Sequence, residues 1–156
     1  MAHYLATIDV PVPAAEAFDY LAEFSTTQEW DPGVETAEMV TALPVALGSR
    51  FHLVTKVAGR AVPLDYEIIA YDRPNRVTVR AENASTISED TITFTEVAGP
   101  DGSSDPHTSV RYEAGLELKG AYRVLTPVIG LMFQRIGDRA AAGLRATLLD
   151  RAGRPS

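Results

Sequence analysis

The patterning of this chain predicts an α+β domain in which a strongly curved antiparallel sheet of seven strands and one long C-terminal helix enclose a cavity. Three observations lead there. Apolar residues recur with period two over most of the 156 residues, turn formers interrupt that alternation repeatedly, and the period lengthens to 3.6 only after the first strand and at the end of the chain. A sheet with one dry face needs a cover, and the terminal helix is long enough to supply it. A curved sheet under a single helix leaves space between them. The sequence therefore points to a ligand class, small and apolar, more directly than to a reaction.

Each element has its own justification. Ala2 to Val10 sets Tyr4, Ala6, Ile8 and Val10 on one side and His3, Leu5, Thr7 and Asp9 on the other, as a half-buried strand does. Pro11 and Pro13 end it. Pro13 suits the first position of a helix whose apolar face is Ala14, Ala17, Phe18, Leu21 and Ala22, with Glu16, Asp19 and Glu23 turned away. A second short helical turn, Thr26 to Trp30, holds the only tryptophan and is closed by the turn formers Asp31-Pro32-Gly33.

Strands are then expected at Val34–Thr41, Arg50–Val57, Ala61–Tyr71, Arg76–Asn83, Ile87–Val97 and Thr108–Lys119. Turns are expected at Leu47-Gly48-Ser49, Ala58-Gly59-Arg60 and Arg73-Pro74-Asn75. Pro63, inside the fourth strand, calls for an edge position or a bulge. The polar run Gly99–His107 is a loop and not a linker, since too little chain follows it for a second core. In the last strand Val110, Tyr112, Ala114, Leu116 and Leu118 share one face against Arg111, Glu113, Glu117 and Lys119, so the sheet buries one side only. Thr126-Pro127 reads as cap and first position of the terminal helix. Its stripe of Ile129, Met132, Phe133, Ile136, Ala140, Gly143, Leu144, Thr147 and Leu148 runs to about Asp150. At about 1.5 Å per residue such a helix is about 36 Å long and spans the sheet.

Composition narrows the function. A hydrophobic share of 46% with 22% charged residues describes an ordinary globular chain, read here as a single domain over residues 1–156. The formal charge of −7 and the scattered single arginines exclude a nucleic-acid partner, which needs clustered cations. With no cysteine there is no disulfide, no thiolate nucleophile and no cysteine-ligated zinc. The first residues, MAHYLATIDVPVP, lack the cationic and apolar regions of a secretory signal, and the cytoplasm is the expected address. The longest apolar stretch, Val124 to Phe133, is broken by Thr126, Pro127 and Gly130 and is too short for a membrane span. His3, His52 and His107 are not spaced as metal ligands, and no GxGxxG, phosphate loop or GxSxG is present, so neither a metal nor another cofactor is expected.

Five segments, in this order and spacing, resemble one superfamily. They are the opening strand running into VPVPAAEAFDYLAEFSTTQEWDPGV, the turn and strand at Leu47-Gly48-Ser49-Arg50-Phe51, YEIIAYDRPNRVTVR, DTITFTEV, and the terminal helix. The superfamily, SRPBCC, includes START lipid-transfer domains, birch-pollen-allergen-like proteins and bacterial polyketide cyclase/dehydrase-type proteins. The resemblance implies a helix-grip fold with two short helices after the first strand and a solvent-open cavity near them. It implies a ligand such as a lipid, polyketide or aromatic compound, and for some members cyclisation chemistry.

The inward parities, with the Trp30 segment, nominate a lining. From the sheet side they give Trp30, Phe51, Leu53, Tyr66, Ile68 and Val79, then Ile92 and Tyr112, and from the helix Met132, Phe133 and Ile136. Tyr66 and Tyr112 bring hydroxyls able to orient a polar group of a ligand, or to bond to backbone as core tyrosines do. If Ile92 and Phe94 face inward, parity sends Asp90 and Ser88 to the same face; a bulge or the strand end would return Asp90 to solvent. An inward Asp90 is the candidate catalytic group, since desolvation would tune it as a proton donor or base. Three functions follow: a binder of a small hydrophobic molecule, a polyketide cyclase/dehydratase-type enzyme, or a toxin-like or regulatory protein using Val124–Phe133 on a partner or membrane surface. Fold alone does not choose among them.

Overall fold

The chain starts at one edge of its sheet, crosses to the opposite edge, and returns strand by strand. A computed structural model describes residues 2–57, 59–97 and 107–152. Strand β1 (Ala2–Val10) leads into helix α1 (Ala14–Ala22), a 3₁₀ turn (Phe24–Thr26) and helix α2 (Thr27–Trp30). A meander follows, β2 (Val34–Met39), β3 (Arg50–Val57), β4 (Arg60–Asp72), β5 (Arg76–Glu82), β6 (Thr86–Val97) and β7 (His107–Leu118), then a 3₁₀ turn (Gly120–Leu125) and helix α3 (Thr126–Ala152). Because β7 pairs with β1, the sheet order is β1-β7-β6-β5-β4-β3-β2, antiparallel throughout. The seven-stranded sheet and single long helix are those the periodicity predicts.

Two register shifts bend this sheet, one in β2 between Val34 and Thr36 and one in β4 between Ile68 and Ala70. An extra residue on one strand sharpens local twist and lets a wide sheet curl. Pro63 is accommodated as its chemistry requires. It pairs with Val54 of β3, while pairing of β4 with β5 begins only at Tyr66, so Pro63 lies on a locally unpaired edge.

The α1 end of the curved sheet is a solid core. Phe18 of α1, fully buried, meets Tyr71 and Phe94 edge-on at ring distances of 5.2 and 5.3 Å, and Phe24 meets Phe51 at 6.3 Å. Such edge contacts add to the apolar burial of the rings. Thr108, wholly buried, satisfies its hydroxyl by donating to the Val12 carbonyl at 2.6 Å, which ties β7 to the segment leading into α1. Outside, Arg73 in the β4–β5 turn grips Asp19 of α1 through two bonds of 2.7 and 2.8 Å.

Helix α3 departs from expectation at its start. Thr126 is already helical, and its hydroxyl donates back to the Arg123 carbonyl at 2.7 Å, so it does not act as an N-cap. The preceding 3₁₀ turn supplies the carbonyls that a cap would otherwise replace. Pro127 still falls in the first turn, where its missing N–H costs nothing. Most of the predicted Gly99–His107 loop lies outside the described residues, and His107 itself opens β7.

Candidate functional site

Beyond the solid core, α1 no longer covers the sheet and α3 takes over. Small residues on both faces leave the interval unfilled: Ala6 on β1, Ala114 on β7, and Gly137, Ala140 and Ala141 on α3 all border one cavity. Its volume is about 150 Å³, the size at which an engineered apolar cavity takes up benzene. The inner wall is Trp30, Leu64, Tyr66, Ser88, Asp90 and Leu144, all buried. The outer wall, Ile129, Met132, Phe133 and Ile136 of α3 with Tyr4 of β1, is only half-buried.

Two glycines bring α3 close enough to form this wall. A Cβ on Gly143 would collide with the Trp30 carbonyl oxygen, and one on Gly137 would stand 2.5 Å from the Tyr4 ring. Side chains larger than hydrogen would hold the helix off α2 and β1. Polar bonds then fix it: the Tyr4 hydroxyl donates to Asp138 at 2.9 Å, and the Gln134 amide donates to the His3 carbonyl at 2.7 Å.

The apolar cavity holds two polar pairs. The Tyr112 hydroxyl donates to Asp90 Oδ2 at 2.6 Å, and the Tyr66 and Ser88 hydroxyls share a bond of 2.7 Å. Register explains both. Asp90 lies opposite Ala114 on β7, so Tyr112, two residues along the same face, reaches it diagonally; Ser88 lies opposite Ala81, whose other neighbour is Tyr66. Burial pushes the Asp90 carboxyl up to about 7, against the Tyr112 bond, which favours the ionised form; the charges of Asp31 and Glu89 raise it further. Burial and the neighbouring Asp90 raise Tyr112 and Tyr66 well above the usual phenol range. Asp90 Oδ1 accepts no side-chain bond among the described residues.

Asp31 belongs to this site as well, although its sequence context reads as a turn. It is a turn residue, accepting the Gly33 N–H at 2.8 Å, and it also borders the cavity, where burial raises its pKa. Periodicity offers no signal for it, because it falls between elements. Trp30 packs edge-on against Tyr112 at 5.9 Å, and its indole Nε1 is buried with no acceptor among the described residues.

Of the nominated lining, the structure brings together Trp30, Tyr66, Tyr112, Met132, Phe133 and Ile136 at this cavity. Phe51, Leu53, Ile68, Val79 and Ile92 face inward as parity requires, but they sit in the packed core and do not border the cavity. The physical reason is coverage: α1 and the 3₁₀ turn after it fill the space above those positions with Phe18, Leu21 and Phe24. Tyr4, Ala6 and Ser88, which share the inward parity, border the cavity instead. Among the described residues no group of three or more His, Cys, Asp or Glu is placed to hold a metal ion. His52 is spent on a surface contact of 2.6 Å with Asp65. No helix among the described residues is long and apolar enough to cross a membrane.

Comparison with known proteins places the chain. Residues 1–151 match the family model described as polyketide cyclase / dehydrase and lipid transport, and the chain belongs to that family. Solved structures share its fold at low identity. A START superfamily protein from Mycobacterium smegmatis superposes with a TM-score of 0.76 at 13% identity, covering 97% of this chain and 99% of that one. A protein from Thermus thermophilus gives 0.75 at 19% identity, over 97% and 99%. The Zhui aromatase/cyclase from a Streptomyces species gives 0.70 at 15% identity, over 96% and 92%. No curated protein matches the chain. The fold is therefore the START-like helix-grip fold.

Proposed function

We propose that this protein binds a small hydrophobic molecule in the cavity between its sheet and α3. The observation that carries the reading is the apolar void of about 150 Å³, framed by Ala6, Ala114 and Gly137 where larger side chains would have packed solid. A core left unfilled forfeits dispersion contacts and destabilises the empty protein, so a void of this size is best explained by an occupant. Family membership supports the same reading.

Filling the void tests it. Ala114→Phe places a ring inside the cavity and should lower affinity for an apolar fluorescent probe at least about tenfold while the fold is retained. Unchanged affinity in a folded Ala114→Phe protein would move the binding site elsewhere. Native mass spectrometry of the purified protein, searched for a co-purified small molecule, gives an independent check.

A second reading has its own support. Asp90 is buried, tuned near neutrality, and bonded to Tyr112 beside an apolar void, the arrangement that lets a carboxyl exchange a proton with a bound substrate at physiological pH. In a cyclase/dehydratase the cavity would hold a flexible chain in one reactive fold while Asp90 moves the proton. One solved structure of like fold is an aromatase/cyclase, which is consistent with that reading. Asp90→Asn should then abolish turnover of a polyketide-type substrate and spare its binding. Full turnover in Asp90→Asn would remove Asp90 from the chemistry.

A further inference from the structure

The cavity is lopsided in charge. Its wall carries the carboxyls of Asp31 and Asp90 and the phenols of Tyr4, Tyr66 and Tyr112, while the only cation bordering it among the described residues is Lys56. That lysine is exposed at the rim and is already paired with Glu35 at 3.2 Å. Two acids thus share a largely apolar space with no buried counter-charge among the described residues. Ionised carboxylates buried in this way are costly, so each either holds its proton or takes a cation.

One of these acids is open to a ligand. Asp90 is 8% exposed, and its Oδ1 takes no side-chain hydrogen bond among the described residues, although the group borders the void. The rings of Trp30, Tyr66 and Tyr112 line the same cavity, Trp30 and Tyr112 packed edge-on to each other at 5.9 Å. A carboxylate with a free oxygen holds an ammonium by a charge-assisted bond. The void itself admits about one ring.

We propose that the cavity is selective for a one-ring organic cation, an aryl-alkyl primary amine whose ring fills the apolar part and whose ammonium group rests on Asp90, with Asp31 adding attraction across the cavity. The inference rests on the cavity being a ligand site and adds the charge of the ligand. Carboxylate ligands such as fatty acids are disfavoured by the same two acids.

Three probes of one size and three charges test it: 2-phenylethylamine, 2-phenylethanol and phenylacetate, titrated at pH 8 by NMR while following the cavity methyls of Ile129, Ile136 and Leu144. The amine is expected to bind roughly ten- to a hundredfold more tightly than the alcohol, and phenylacetate more weakly than both. In Asp90→Asn the amine's advantage should collapse while affinity for the alcohol persists, which also shows that the variant is folded. If the alcohol binds as tightly as the amine, or phenylacetate binds best, the charge assignment is overturned and the cavity reading stands. If none of the three shifts the cavity methyls, the cavity reading fails and the inference with it.

Discussion

Asp90 is a buried carboxyl bonded to Tyr112, and its consequences for stability follow from the direction of its shift. An unfolded aspartate titrates near 3.9. In the folded protein burial raises Asp90 to about 7, so between those values the folded state holds its proton more tightly than the unfolded state does. The stabilisation from the neutral carboxyl is therefore complete below about pH 4. It is lost progressively as pH rises through the folded value of about 7. Above that, an ionised Asp90 is a net burden on the fold. Asp90→Asn keeps an acceptor for Tyr112 and cannot ionise. Its melting temperature relative to the wild type should accordingly be at least about 3 °C more favourable at pH 8 than at pH 4. Thermal scans at the two pH values decide it; a difference independent of pH would show that Asp90 titrates as an exposed acid.

At the scale of elements, the seating of α3 depends on where its glycines fall. Gly143 abuts the Trp30 backbone so closely that an added methyl would overlap the carbonyl oxygen, whereas Gly130 on the same helix has open space around it. Alanine gains about 1 kcal/mol over glycine in a helix. At residue 130 that gain stands alone, and Gly130→Ala should stabilise by about 0.5–1 kcal/mol. At residue 143 the backbone cannot yield as a side-chain end would, and Gly143→Ala should destabilise by about 1–3 kcal/mol as α3 lifts off α2. Denaturant midpoints of the two variants should move in opposite directions; movement in the same direction would mean that the contact with Trp30 is not what seats the helix. The same elements show what the sequence discloses. Alternation assigns Phe51, Leu53, Ile68, Val79 and Ile92 to the inner face correctly, because parity is a local property of a strand. How far along the sheet α1 or α3 covers that face depends on packing between distant segments. Parity therefore separates inside from outside without separating core from cavity. Asp31 was hidden for a different reason, since a turn residue carries no period.

For the molecule as a whole, α3 behaves as two halves with different attachments. Its second half is locked: Leu144 and Leu148 are buried to within 2%, Gly143 sits on Trp30, and Arg151 caps the Tyr20 ring at 4.2 Å. The first half roofs the void and contains no fully buried side chain. Ile129, Met132, Phe133 and Ile136 are half-buried, Val128 and Leu131 are 58% and 75% exposed, and the half is held to β1 by the close packing of Gly137 on the Tyr4 ring together with the bonds of Tyr4 to Asp138 and of Gln134 to the His3 carbonyl. Side chains no more than half-buried and solvent-exposed bonds make this half easier to open locally than the locked second half. Under the proposed function the first half of α3 is the expected entrance, since a ligand larger than about one ring would require it to swing outward. Hydrogen exchange gives the measurement. Amides of residues 130–140 should exchange markedly faster than those of 145–150 in the empty protein, and an apolar ligand should slow the first set while leaving the second nearly unchanged. Equal protection along the whole helix would make α3 a rigid roof, and entry would then have to pass by the rim at Lys56.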